Sequence, residues 1–140
     1  MDGAQEPAYG CFRREATKIK LIIYGEPVSM KNSRKIVRFG NRPGLIKSDA
    51  ARAYERDVIM QVPTLPRLLE GDLAVTAHVY YRTRRKDLDI ELLFDCLQGR
   101  IYQNDRQIKE KHIYWHLDKK SPRVEIEIKE VANGLEMSEL

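Results

Sequence analysis

The sequence predicts a single small α+β domain, built from a mixed or antiparallel sheet of about four strands and two helices. Two observations lead there. The chain has 140 residues of which 42% are hydrophobic, enough for one core but not two. Its apolar residues recur with period two in several segments and with helical spacing in two others, the pattern of a layer of strands covered by helices.

Taken in order, residues 1–17 carry no periodicity and are expected to form a disordered N-terminal segment, ahead of a folded domain over 18–130 and a frayed tail over 131–140. Ile19, Leu21 and Ile23 alternate as a strand that Gly25-Glu26-Pro27 ends. Residues 31–47 (KNSRKIVRFGNRPGLIK) hold six basic side chains and no acidic one. Gly and Pro punctuate that stretch, so it reads as a loop with room for a short hairpin. Ser48 is placed to cap a helix to about Gln61, with Ala50, Ala51, Tyr54, Val58 and Ile59 on its apolar face and Pro63 as its stop. Leu73, Val75, Ala77, Val79 and Tyr81 share one face of a long strand. Asp89 can cap a short helix over 90–98 whose Leu92, Leu93, Cys96 and Leu97 turn inward, and Gly99 suits a left-handed end. After an irregular return over 100–107, Ile113, Trp115 and Leu117 alternate, and so do Val124, Ile126 and Ile128 beyond a turn at 119–122. These two runs read as an antiparallel hairpin.

The formal net charge is +4 with 33% charged residues; a small basic domain points to a polyanionic partner, nucleic acid foremost. The two cysteines, Cys11 and Cys96, form neither a metal-binding pair spacing nor a disulfide framework, which fits a reducing, cytoplasmic setting. The N-terminus has no signal-peptide stretch, and Leu21-Ile22-Ile23 is too short to cross a bilayer, so no membrane partner is expected. No GxxxxGK[ST] or GxGxxG is present, so no nucleotide cofactor is expected. His112 and His116 lie on one face of a strand roughly 13 Å apart, and no further His or Cys pair completes a zinc set. Trp115, on the apolar face, reads as core.

The sharpest chemical feature is Asp87-Leu88-Asp89, where a strand gives way to a helix. Residues two apart in extended chain point the same way, and two adjacent carboxylates repel unless a cation lies between them. Mg²⁺ suits oxygen-only ligands near phosphate, and Mn²⁺ can stand in its place. A helix of residues 90–98 is roughly 13 Å long, and the return from Arg100 to Asp105 spans up to about 20 Å, so Asp105 can come back beside the pair. Three carboxylates around an open metal position suit phosphodiester hydrolysis. The plainer reading has Asp89 as a cap, Asp87 paired with Arg85 and Asp105 in a turn. Arg82, Arg84, Arg85 and Lys86 adjoin the cluster, and Lys31, Arg34, Lys35 and Arg38 lie in the basic loop; both groups are candidate phosphate contacts, against the reading of solvated charge runs.

RRKDLD (84–89), LFDCLQG (93–99) and NDRQI (104–108), with the earlier KNSR…IKSDAARAYE (31–55), resemble the RusA family of Holliday junction resolvases over about residues 19–130. The resemblance implies a Mg²⁺-dependent homodimer that cuts two opposed strands of a four-way junction in recombination and repair, with Asp87, Asp89 and Asp105 as metal ligands and catalytic residues. Asp95 matches an acidic helix position. The family often reads D-x-D-N-x-x-K; here Ile90 stands for Asn, two residues are missing and no Lys follows, leaving Lys86 or Lys109 as substitutes, while Asn104 stands where many relatives have a further Asp. A second reading, favoured by the absent lysine, is a nucleic-acid-binding module without catalysis. A third is an interaction domain whose basic loops bind an acidic protein.

Overall fold

The computed structural model describes residues 18–131. The segment expected to be disordered at the N-terminus, and all of the expected frayed tail except Val131, lie outside the described residues. Val131 itself ends the last described strand and is buried.

Six strands and two helices follow one another as β1 (Lys18–Tyr24), β2 (Arg34–Phe39), β3 (Arg42–Lys47), α1 (Asp49–Gln61), β4 (Asp72–Tyr81), α2 (Glu91–Leu97), β5 (Ile108–Leu117) and β6 (Arg123–Val131). Short 3₁₀ turns occupy Met30–Asn32 and Asp105–Gln107. Four strands make one sheet in the order β1-β6-β4-β5, and β2 and β3 pair separately as a hairpin. The basic segment is therefore an ordered two-stranded ribbon, turned at Gly40 in the left-handed region (φ 66°).

The long strand is as its alternation predicted: Leu73, Val75, Ala77 and Val79 are fully buried, with Tyr81 nearly so. α1 and α2 cover that face, contributing Ala51, Tyr54 and Val58 from one helix and Leu92, Leu93, Phe94 and Leu97 from the other. Fully burying each large aliphatic side chain contributes about 1.5–3 kcal/mol, so this seam between sheet and helices dominates the domain's stability. Ser48 caps α1 as expected, its hydroxyl accepting from the Ala51 N–H at 3.1 Å. Ala50 and Ile59 are exposed, because the buried stripe of this short helix is only one residue wide per turn. Gly99 ends the α2 region at φ 87°.

One expectation is corrected. β5 and β6 do not form a hairpin: β5 runs parallel to β4, whereas β6 lies antiparallel to β4 on its other side and to β1. The loop between them carries the chain past the end of β4. The reason lies in burial: Val124, Ile126 and Ile128 are nearly solvent-free, as an interior strand requires, while Ile113 and Trp115 only pack against the rim of the core. β5 also begins at Ile108, three residues earlier than the clear alternation. Trp115 is accordingly only half-buried, and its position gives it a second task described below.

Candidate functional site

The loop between β4 and α2 carries the Asp87–Asp89 pair, and three fastenings hold it. The Trp115 indole N–H donates to the Lys86 carbonyl at 3.1 Å, tying the loop to β5. The Asp89 N–H donates to the Tyr81 hydroxyl at 3.2 Å, tying it to the end of β4. Asp89 in turn accepts from two backbone N–H groups, Glu91 on Oδ1 at 3.1 Å and Met30 on Oδ2 at 3.0 Å. The first of these satisfies an orphan donor of α2, so Asp89 does serve the helix start, although Ile90 occupies the cap position itself. The second binds the loop to the turn Met30–Asn32, far away in sequence.

The same turn supplies the cation of the pair. Lys31 Nζ lies 2.6 Å from Asp87 Oδ2, so Asp87 pairs with Lys31 rather than with Arg85. The ammonium holds the Asp87 carboxyl below the usual carboxylate range, and the carboxylate raises the lysine in return, with Asp89 adding to the effect. Both side chains are well exposed.

Asp105 opens the second 3₁₀ turn and is exposed. Its N–H donates to the Gln98 side-chain oxygen at 2.9 Å, which fastens the turn to the end of α2. Gln107 holds the turn from the other side: its Oε1 accepts from the N–H groups of Gln103 and Asn104, and its Nε2 donates to the carbonyls of Leu69 and Gly71. Asn104 caps the turn, accepting from the Arg106 N–H at 2.8 Å. Electrostatically Asp105 belongs with Asp95 and Glu91, which occupy one face of α2. Partial burial of its carboxyl raises Asp95 above the ordinary carboxylate range, and Asp105 and Glu91 raise it further, against the pull of Lys47 and Arg34.

The acidic residues therefore fall into two adjoining groups, Asp87–Asp89 around Lys31 and Asp105–Asp95–Glu91 along α2. Among the described residues, no three His, Cys, Asp or Glu side chains are gathered closely enough to hold a metal ion. The pair nevertheless offers oxygen donors to a hard divalent cation, Asp87 from an exposed side chain and Asp89 from a half-buried one, and such a cation would take the place of the Lys31 ammonium on Asp87. Sequence reasoning missed Lys31 as the partner of Asp87 and the role of Gln98 and Gln107; the Q in NDRQI was the only signal of the latter.

The cations named from sequence are distributed around this site. Arg34, Lys35 and Arg38 stand exposed on β2, with Lys35 3.7 Å from Asp49. Arg82, Arg84, Arg85 and Lys86 are exposed in the β4–α2 loop. Glu26 tethers that run, accepting from the Arg82 N–H at 2.7 Å and pairing with Lys86 at 3.3 Å. Lys109 stands exposed at the start of β5. His112 and His116 do not act together: His112 pairs with Glu110, and His116 lies 2.8 Å from His78 of β4.

A small basic α+β domain with carboxylates set among arginines and lysines suits a phosphodiester backbone as its partner. Residues 25–129 match the family model for endodeoxyribonuclease RusA, and the chain belongs to that family. Family membership implies nuclease activity of the Holliday junction resolvase type. No individual curated protein matches the chain significantly. No helix of the described residues is long and apolar enough to cross a membrane.

Proposed function

We propose that this chain is a divalent-metal-dependent endodeoxyribonuclease that resolves four-way DNA junctions by paired strand cleavage. The observation that carries this reading is the Asp87–Asp89 pair on a loop held by three fastenings, with Asp87 exposed and paired with Lys31 and Asp89 half-buried on two backbone N–H groups. Asp87 and Asp89 would be the primary metal ligands and Asp105 the third, with Mg²⁺ the natural ion and Mn²⁺ a substitute. The bound metal supplies an activated water and offsets charge on the leaving oxygen.

The chain's own residues do the positioning. Trp115, Tyr81 and the Met30 N–H hold the carboxylates at a fixed place on the surface. Arg82, Arg84, Arg85 and Lys86 on one side, and the ribbon's Lys31, Arg34, Lys35 and Arg38 on the other, grip phosphates and set the register of the backbone. Lys31, now paired with Asp87, would also be within the site to offset charge developing on a phosphate under cleavage, as an ammonium does. It therefore takes precedence over Lys86 and Lys109 as the substitute for the absent helix lysine. Paired cleavage follows from a homodimer, because a four-way junction has approximate two-fold symmetry and two related sites then face two opposed strands.

The test is cleavage of a labelled four-way junction beside a matched linear duplex, with and without Mg²⁺, by the native chain and Asp89→Asn. Metal-dependent paired nicks on the junction alone, lost in the variant, are the expected result. Tight junction binding with no cutting under any divalent metal would establish the alternative, a binding module that keeps the fold without the chemistry.

A further inference from the structure

Asp87 and Lys31 line a cleft of about 540 Å³, half open to solvent, between the segment Glu26–Asn32, the start of α1 and the loop after β4. Its size falls in the range of small-molecule sites, roughly 300–1,000 Å³. We propose that it receives one unpaired nucleotide of the DNA substrate, base inward and phosphate at the rim. This rests on the endonuclease reading and adds to it a subsite that orients the strand.

The lining is divided as such a ligand requires. Pro27, Val28 and Ala50 offer apolar surface for the faces of a base, and base stacking on apolar or aromatic surface tolerates any sequence. Asn32 lines the same cavity and carries an amide that can both donate to and accept from a base edge. Ser29 places its hydroxyl in the wall, buried and without a hydrogen-bond partner. A buried hydroxyl without a partner is unfavourable, and a polar ligand atom that reaches it relieves that cost. Lys31, Arg85 and Lys86 also line it, together with Asp87 and Glu26, which pair with Lys31 and Lys86; Arg85 stands outside those two pairs and is the cation we assign to the phosphate of an inserted nucleotide, next to Asp87. Insertion of the base and placement of the scissile phosphate are thus one event. The cost of unstacking is least where a base is already poorly paired, as at the crossover of a branched molecule, so the cavity favours branched over linear duplex without reading sequence.

The experiment uses four-way junctions carrying 2-aminopurine at successive positions near the crossover, bound by the full chain in EDTA so that no strand is cut. The fluorescence of 2-aminopurine rises when the base leaves the stack. The native chain is expected to raise it several-fold at one position in each of two opposed strands. Ala50→Phe, at an exposed position lining the cavity, fills the space; it should abolish the rise while junction affinity stays within about threefold, because phosphate contacts dominate affinity. Arg52→Phe, exposed on the same helix away from the cavity, should keep the rise. Tight junction binding by the native chain with every position still quenched overturns the inference and leaves the nuclease reading standing. Persistence of the signal in Ala50→Phe overturns it equally. Failure of the native chain to bind the junction at all defeats the nuclease reading and this subsite together.

Discussion

Replacing Gln107 by alanine removes four hydrogen bonds at once, two accepted from the N–H groups of Gln103 and Asn104 and two donated to the carbonyls of Leu69 and Gly71. A typical intramolecular hydrogen bond contributes about 0.5–1.5 kcal/mol net. Three of these four are partly shielded from water and one is exposed, so water re-satisfies some of the orphaned groups and the lower half of that range applies. The expected loss is about 2–4 kcal/mol, a large share of the roughly 5–15 kcal/mol that holds a domain together. For a domain of this size it lowers the melting temperature by about 8 °C. Equilibrium unfolding in urea, followed by Trp115 fluorescence, measures it directly. Gln107→Glu sharpens the test, since it keeps an acceptor for the two N–H groups but turns a carboxylate toward two carbonyls, and it should be no more stable than the alanine variant. Junction cleavage should fall in both, because the turn that carries Asp105 loses its anchor. A loss below about 0.5 kcal/mol in Gln107→Ala, the size of an ordinary surface substitution, would refute the claim that this side chain organises the turn.

The remaining predictions follow from the same geometry. Asp87→Asn should abolish cleavage and keep or tighten junction binding, as repulsion of phosphate falls; normal cutting by both Asp87→Asn and Asp89→Asn would show the metal assignment to be wrong. Asp95 is raised in the folded state, so the fold binds its proton more tightly than the unfolded chain does, and stability declines as pH rises from the ordinary carboxylate value through the raised one. Asp95→Asn should therefore stabilise the domain above that window, by roughly a few tenths of a kcal/mol because the residue is largely exposed, and the two proteins should converge below it in urea titrations at stepped pH. Burial pushes the Cys96 thiol up to about 11, so alkylation of Cys96 in a Cys11→Ser background should be slow at neutral pH and become fast only on unfolding. Leu93→Ala, at a fully buried position of α2, should cost about 2–5 kcal/mol by calorimetry.

What could be read from the chain and what could not divide along sequence distance. The strand Leu73–Tyr81 and the cap at Ser48 are local matters, settled by alternation and by one hydroxyl, and both are found as expected. The hairpin assigned to the last two strands rested on adjacency in the chain; the deeper burial of Val124, Ile126 and Ile128 than of Ile113 and Trp115 marks an interior strand beside an edge one, a difference that alternation does not reveal. The acidic pair was visible as a motif, but its partner was not: Lys31 is separated from Asp87 by 56 residues, and six basic residues in one segment gave no means of choosing among them. Trp115 was assigned to the core by its apolar face. Its indole nitrogen, which needs a partner when half-buried, was the sign that it also fixes the loop.

The register of the sheet sets the order in which this domain can be completed. β6 lies between β1 and β4, with Lys18 opposite Lys129 and Asp72 opposite Val131, so the first and last strands of the domain are neighbours. During synthesis β1 and β4 emerge long before the strand that joins them. Until then β4 exposes an unpaired edge and β1 has no neighbour in the sheet. Contacts of such long range close slowly, and a chain cut short within its last ten described residues loses the strand that unites the sheet.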